Sequence, residues 1–154
     1  MTGAGAEVGG GERIVLASWA GTATFTATAV LAAFVRGTSV VALVVAVALF
    51  AVGLAAFAAA YVGAVARSRT HQIGVWGLFF LEGSAPPALR RRLLGSAGVE
   101  ALVAVATAAA RPNTSLAFGI LVPVYGLGLS ALWSARHGRF PPRPAPPAEQ
   151  RRRA

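Results

Sequence analysis

Apolar positions along this chain fall into four long runs, at about residues 14–35, 40–66, 93–110 and 116–135, separated by short polar or basic stretches. A helix rises about 1.5 Å per residue, so runs of this length suit a hydrocarbon core about 30 Å thick. The first run carries Trp19 and four alternating threonines, Thr22, Thr24, Thr26 and Thr28. In water that alternation would suit a strand. A segment crossing lipid must satisfy its backbone internally, and threonine hydroxyls can bond the preceding turn of a helix, so a helix is predicted. Arg36, Gly37, Thr38 and Ser39 form a tight turn, and the second run, which has no charge inside it, completes a hairpin. Arg111, Pro112, Asn113, Thr114 and Ser115 form a second short turn. In the fourth run Pro123 removes a backbone donor, which predicts a kink, and Gly119, Gly126, Gly128 and Ser130 leave room for a neighbouring helix.

The stretches between and outside the runs are read differently. Residues 73–81 (IGVWGLFFL) are apolar but far short of the roughly 20 residues a crossing needs. They are expected to lie in the interface or fold back on the helices, with Trp76, Phe79 and Phe80 at headgroup level. Ser84, Pro86 and Pro87 mark a helix start near Pro87, from which Arg90, Arg91 and Arg92 can snorkel to phosphates. Residues 1–13 are Gly-rich without apolar periodicity and are expected to be a flexible tail; no cleavage site follows the first run, against a signal peptide. Residues 136–154, centred on PPRPAPP, are expected to be a disordered, solvated tail. The fold class is therefore an all-α membrane protein, a four-helix transmembrane bundle with a short interfacial segment in its central loop.

Composition agrees with the pattern. With 56% apolar residues, 12% charged residues and a mean hydropathy of +0.65, the chain is too apolar for an ordinary soluble domain. All 14 basic residues are arginine, and a pI near 11.9 in a soluble protein would point to nucleic acid. Here the arginines sit between the runs and in the tail, where topology and anionic headgroups account for them, and no nucleic-acid partner is expected. Arg13, the loop arginines 67, 69, 90, 91 and 92, and the tail arginines 136, 139, 143, 151, 152 and 153 lie on one side; only Arg36 and Arg111 lie on the other. That asymmetry puts both termini and the central loop in the cytoplasm, with the chain in the plasma membrane. Arg67, Arg69, Arg90, Arg91, Arg92, Arg136 and Arg139 are the candidate contacts to anionic headgroups at that face. Having no cysteine, the chain has no disulfide, thiol nucleophile, Cys-based zinc site or iron–sulfur cluster.

Few residues within the runs can carry chemistry. Glu100 is the only acid in any of them, and an acid in hydrocarbon is a functional candidate by default. Ser96 and Thr107 share its helical face and make a thin polar stripe with it. One reading is a proton or cation site, or contact with a partner's basic group. The other is a structural acid, protonated or hydrogen-bonded to the threonines of the first run, to Tyr61 or to Tyr125. His71 and His137 each lie beside arginines at the expected interface and do not complete a metal site, so no metal or cofactor is assigned. Small residues recur four apart at Ala17 and Gly21, at Ala55, Ala59 and Gly63, and at Gly126 and Ser130, steps that allow close helix contact. Gly126-Leu127-Gly128 is not a dinucleotide loop, because no strand precedes it. Asn113-Thr114-Ser115 matches a glycosylation acceptor, but a turn beside Pro112 explains that Asn.

WGLFFLEGSAP and RPNTSLAFGILVPVYGLGLSALWSARHGRFPPR, between Gly74 and Arg143, resemble small uncharacterised integral membrane proteins of actinobacteria with four predicted transmembrane helices. The resemblance implies membrane location and lineage; it assigns no activity and no site residues. On these grounds the chain reads as a non-enzymatic accessory or structural membrane protein, packing against itself as a homo-oligomer or against a larger membrane complex. The alternative is an oligomeric proton- or cation-coupled transporter using Glu100. In size and span count the chain is similar to the small multidrug transporters, but those carry their essential acid in the first helix, where this chain has none. No acid, base and nucleophile converge in the sequence as an enzyme would require.

Overall fold

The computed structural model describes residues 3–143, apart from the side chains of residues 3–9 and 36. Its helices are α1 (Gly3–Phe34), α2 (Ser39–Arg67), the short α3 (Val75–Phe79), α4 (Pro87–Ala110) and α5 (Pro123–His137), with 3-10 segments at Arg36–Thr38 and Ser115–Leu121. No strand forms among the described residues beyond an isolated antiparallel bridge between His71 and Pro142. Among the described residues, four stretches are long and apolar enough to cross a membrane: Gly10–Phe34, Ser39–Arg67, Pro87–Ala110 and Ser115–His137.

Two of the threonines of α1 behave as a helix in lipid demands: Thr24 and Thr28 donate their hydroxyls to the carbonyls of Ala20 and Thr24, each at 2.9 Å. Thr22 lies within 2.9 Å of the Ser18 carbonyl, whereas the Thr26 hydroxyl is buried without a partner among the described residues. α1 also begins earlier than the sequence suggests. Residues 3–13, expected to be a flexible tail, are helical. Glycine is a poor helix former, but Gly11 lets the end of α5 come close, while Gly10 leaves room for ordinary contact with it. A Cβ on Gly11 would stand 3.0 Å from Trp133 Nε1, and one on Gly10 would stand 3.5 Å from His137 Nε2.

α2 buries a seam of small residues, Ala42, Ala46, Gly53, Ala56, Ala60 and Ala64, and it packs chiefly on α5. The two backbones touch where they cross, since a Cβ on Gly128 would run into the carbonyl of Gly53. The steps at Ala17 and Gly21 and at Ala55, Ala59 and Gly63 divide. Gly21 is buried and filled by the ring of Tyr125, whereas Ala17, Ala55 and Ala59 are exposed.

The fourth apolar run is broken rather than kinked. Pro123 has no N–H, and its ring excludes an α-helical carbonyl four residues earlier, so the ladder cannot pass through it. The chain arrives in 3-10 form, with the Val122 N–H on the Gly119 carbonyl at 2.9 Å, and α5 begins with Pro123 in its first turn. The turn before it places Asn113 at φ 62, in the left-handed region that Asn tolerates better than most residues.

Residues 73–81 fold back on the helices. Leu78 is buried against α2 and α5, and the Phe79 ring stacks on Phe57 with centroids 5.0 Å apart. Leu81 takes φ 54 and turns its fully buried side chain in against Leu93 and Trp133. Trp76 remains 66% exposed, with Phe80 beside it. The expected disordered tail is corrected as far as it is described: α5 runs on to His137, and Arg139 to Arg143 lie along the central loop. There the Arg139 N–H reaches the Ser84 carbonyl at 3.0 Å, Gln72 N–H the Pro141 carbonyl at 2.9 Å and Arg143 N–H the Thr70 carbonyl at 2.9 Å. Unpaired loop amides and carbonyls give the extended Pro-rich segment its partners. Residues 144–154 lie outside the described residues.

Candidate functional site

Glu100 sits midway along α4 with none of its surface exposed. Its carboxyl is held from both neighbouring helices. Thr22 of α1 donates to Oε1 at 2.7 Å, and the backbone N–H of Gly126 donates to Oε2 at 3.2 Å. The second bond follows from the Pro123 break. The first turn of a helix leaves its N–H groups without intrahelical partners, and the Tyr125 N–H takes the Val122 carbonyl at 2.7 Å, so Gly126 is left to bond outward. Glu100 thus caps α5 from an adjacent helix, at the end where the helix dipole favours an acidic group. Gly126 must be glycine for this approach, because a Cβ there would meet Ala97 Cβ at 2.7 Å and Glu100 Oε2 at 2.9 Å.

One turn earlier, Ser96 of α4 pairs with Ser18 of α1, both fully buried. The two cross-helix pairs, Ser18 with Ser96 and Thr22 with Glu100, are each separated by 78 positions in the chain, so α1 and α4 run parallel in fixed register. Thr22 has a single hydrogen but lies within reach of two acceptors, Glu100 Oε1 at 2.7 Å and the Ser18 carbonyl at 2.9 Å. A carboxylic acid proton on Oε1 would complete a chain from Glu100 through Thr22 to that carbonyl, with each donor used once.

The polar stripe expected on α4 is therefore present but divided. Ser96 and Glu100 both face α1, whereas Thr107, 6% exposed, turns its hydroxyl back to the Val103 carbonyl at 2.8 Å. Of the other proposed partners, Tyr61 is exposed, and the Tyr125 hydroxyl donates instead to the Ala17 carbonyl at 2.7 Å. Ser18 and Thr22 repeat the four-residue spacing of Ser96 and Glu100, and that shared spacing is the sequence signal for Ser18. The part Gly126 plays leaves no such signal, because a backbone donor has no residue type. None of the three main cavities is lined by Glu100.

The arginines gather at the two ends. The start of α1, the end of α2, the start of α4 and the end of α5 meet at one end, where Arg69, Arg90, Arg91, Arg92, Arg136 and Arg139 are all exposed. Arg67, expected at the headgroups, is corrected: it turns inward. Its Nη1 donates to the Ala135 carbonyl at 2.7 Å and its Nη2 to the Gly138 carbonyl at 3.0 Å, while its guanidinium lies over the Phe140 ring. The last carbonyls of α5 lack intrahelical donors and carry the negative end of the dipole, which a cation relieves. At the opposite end Arg111 does the same for α1, with Nη1 on the Ala32 carbonyl at 2.9 Å. His71 is hydrogen-bonded to Thr70, and His137 is stacked on Trp133. Among the described residues no three His, Asp or Glu side chains come together.

The chain matches no protein-family model, no curated protein and no solved structure.

Proposed function

We propose that this chain is an accessory or structural membrane protein: a four-helix bundle in the plasma membrane, with both termini cytoplasmic, that packs against itself or a larger membrane complex. The observation that carries the reading is the enclosure of Glu100, whose two oxygens are engaged by Thr22 and Gly126 while no surface of the residue is exposed. An acid so used joins three helices and caps one of them. It has no open side on which to exchange an ion with water. The Arg-rich end supports the orientation, since arginine concentrates on the cytoplasmic side of short loops. The resemblance to actinobacterial membrane proteins supports the lineage and adds no activity.

The second reading, an oligomeric proton- or cation-coupled transporter using Glu100, rests on the break at Pro123. Helices interrupted within the membrane occur where transporters bind substrate, with the start of a half-helix facing an anionic group. Two measurements separate the readings. Mild crosslinking followed by purification tests for a stoichiometric partner, and proton-driven uptake into vesicles compares wild type with Glu100→Gln. Partner capture without uptake supports the accessory role. Uptake that is lost in a folded Glu100→Gln variant overturns it.

A further inference from the structure

A groove of about 1010 Å³ lies away from Glu100, between residues 11–19 of α1, the start of α4 and the end of α5. Its mouth carries Glu12, Arg13, Arg92 and His137. Among the described residues neither Arg13 nor Arg92 forms an ion pair or hydrogen bond, in contrast to Arg67 and Arg111, and the His137 Nδ1 is buried without a partner. Two guanidinium groups against one carboxylate leave a single positive charge. Leu89 and Trp133 stand level with Gly11 beside that mouth, and the wall beyond it is apolar, formed by Leu16 and Trp19. From Glu12 to Trp19 the wall descends roughly 10 Å along α1, at about 1.5 Å per residue. Glu12 and Arg13 open the stretch Gly10–Phe34 that is apolar enough to cross a membrane, so the polar mouth lies at its end and the apolar wall runs into its depth.

We propose that this groove holds one anionic glycerophospholipid, with the phosphate between Arg13 and Arg92 and the first part of an acyl chain along Leu16 and Trp19. Charge and polarity select that occupant. A phosphodiester supplies the one negative charge the mouth lacks, arginine binds phosphate oxygens in bidentate geometry, and only an amphiphile uses the wall as well. A soluble phosphate ester would leave the apolar wall uncovered. The inference rests on the reading of the chain as membrane-spanning with this end at an interface.

The test uses full-length protein purified in a mild detergent and examined by native mass spectrometry with added phosphatidylglycerol, phosphatidylcholine or glycerol phosphate. Wild type should retain one phosphatidylglycerol severalfold more strongly than phosphatidylcholine, and glycerol phosphate should not displace it. Arg13→Gln with Arg92→Gln should lose that preference while keeping wild-type helicity. Arg69→Gln with Arg139→Gln, which removes the same charge outside the groove, should keep it. Leu16→Trp, which fills the wall and leaves every charge in place, should weaken retention as well, and it stands in if the double Arg variant does not fold. Equal retention of the two lipids, wild-type retention by the groove variants or displacement by glycerol phosphate overturns the proposal. Carbonate extraction of membranes, run alongside, reports on membrane insertion separately: a protein that stays in the membrane pellet but shows no lipid preference loses only the groove assignment.

Discussion

At the residue scale, Glu100 makes an unpaired buried donor the quantity to watch. Glu100→Gln preserves both contacts, because the amide can donate to Thr22 and accept from Gly126; its expected effect on unfolding in a denaturing detergent titration is under about 1 kcal/mol. Glu100→Leu fills similar space but leaves the Gly126 N–H without a partner, and a loss of about 1–3 kcal/mol is expected in the same titration. Equal effects from the two substitutions would mean that the cap contributes nothing. Close contact gives a second expectation. Gly128→Leu places a side chain where the Gly53 carbonyl lies and should destabilise by about 1–3 kcal/mol, whereas Ala55→Leu, on the exposed side of α2, should change stability by less than about 0.5 kcal/mol.

At the scale of elements, the helix ends are closed by residues far away in sequence. Arg67→Gln removes a charged donor from the end of α5, and a loss of about 1–2 kcal/mol is expected, against under about 0.5 kcal/mol for the exposed Arg69→Gln, both read from unfolding titrations. Periodicity and apolar length located α2, α4 and the end of α1 closely, because in lipid those two properties dominate. They did not separate Arg67 from Arg69, since sequence gives an arginine's level in the membrane but not the direction in which it reaches. They missed the helical start of α1 for a related reason. The propensity of Gly10 and Gly11 is local, whereas Trp133 and His137, which cover them, lie over a hundred residues away. Glu100 stood out by its charge; its partners, a threonine among several and a backbone N–H released by Pro123, became visible only with the helices in register.

For the molecule as a whole, the absence of cysteine makes topology directly measurable. Gln72→Cys and Thr114→Cys, both at exposed positions on opposite ends, should react with a membrane-impermeant thiol reagent from opposite faces of a vesicle, and position 72 from the cytoplasmic face. Labelling of both from one face would overturn the four-span arrangement. The cap on α5 also bears on how the chain is made. Synthesis runs from the N-terminus, so in a four-span arrangement α4 leaves the ribosome with its acid ahead of α5. The group already placed to receive it is Thr22, on the helix that runs parallel to α4 in register. The helix inserted first therefore serves as a temporary host for a costly side chain, and Gly126 takes up its share only when the last helix arrives. A defect at Thr22 should then appear in the amount of protein that matures more than in the stability of the molecules that do.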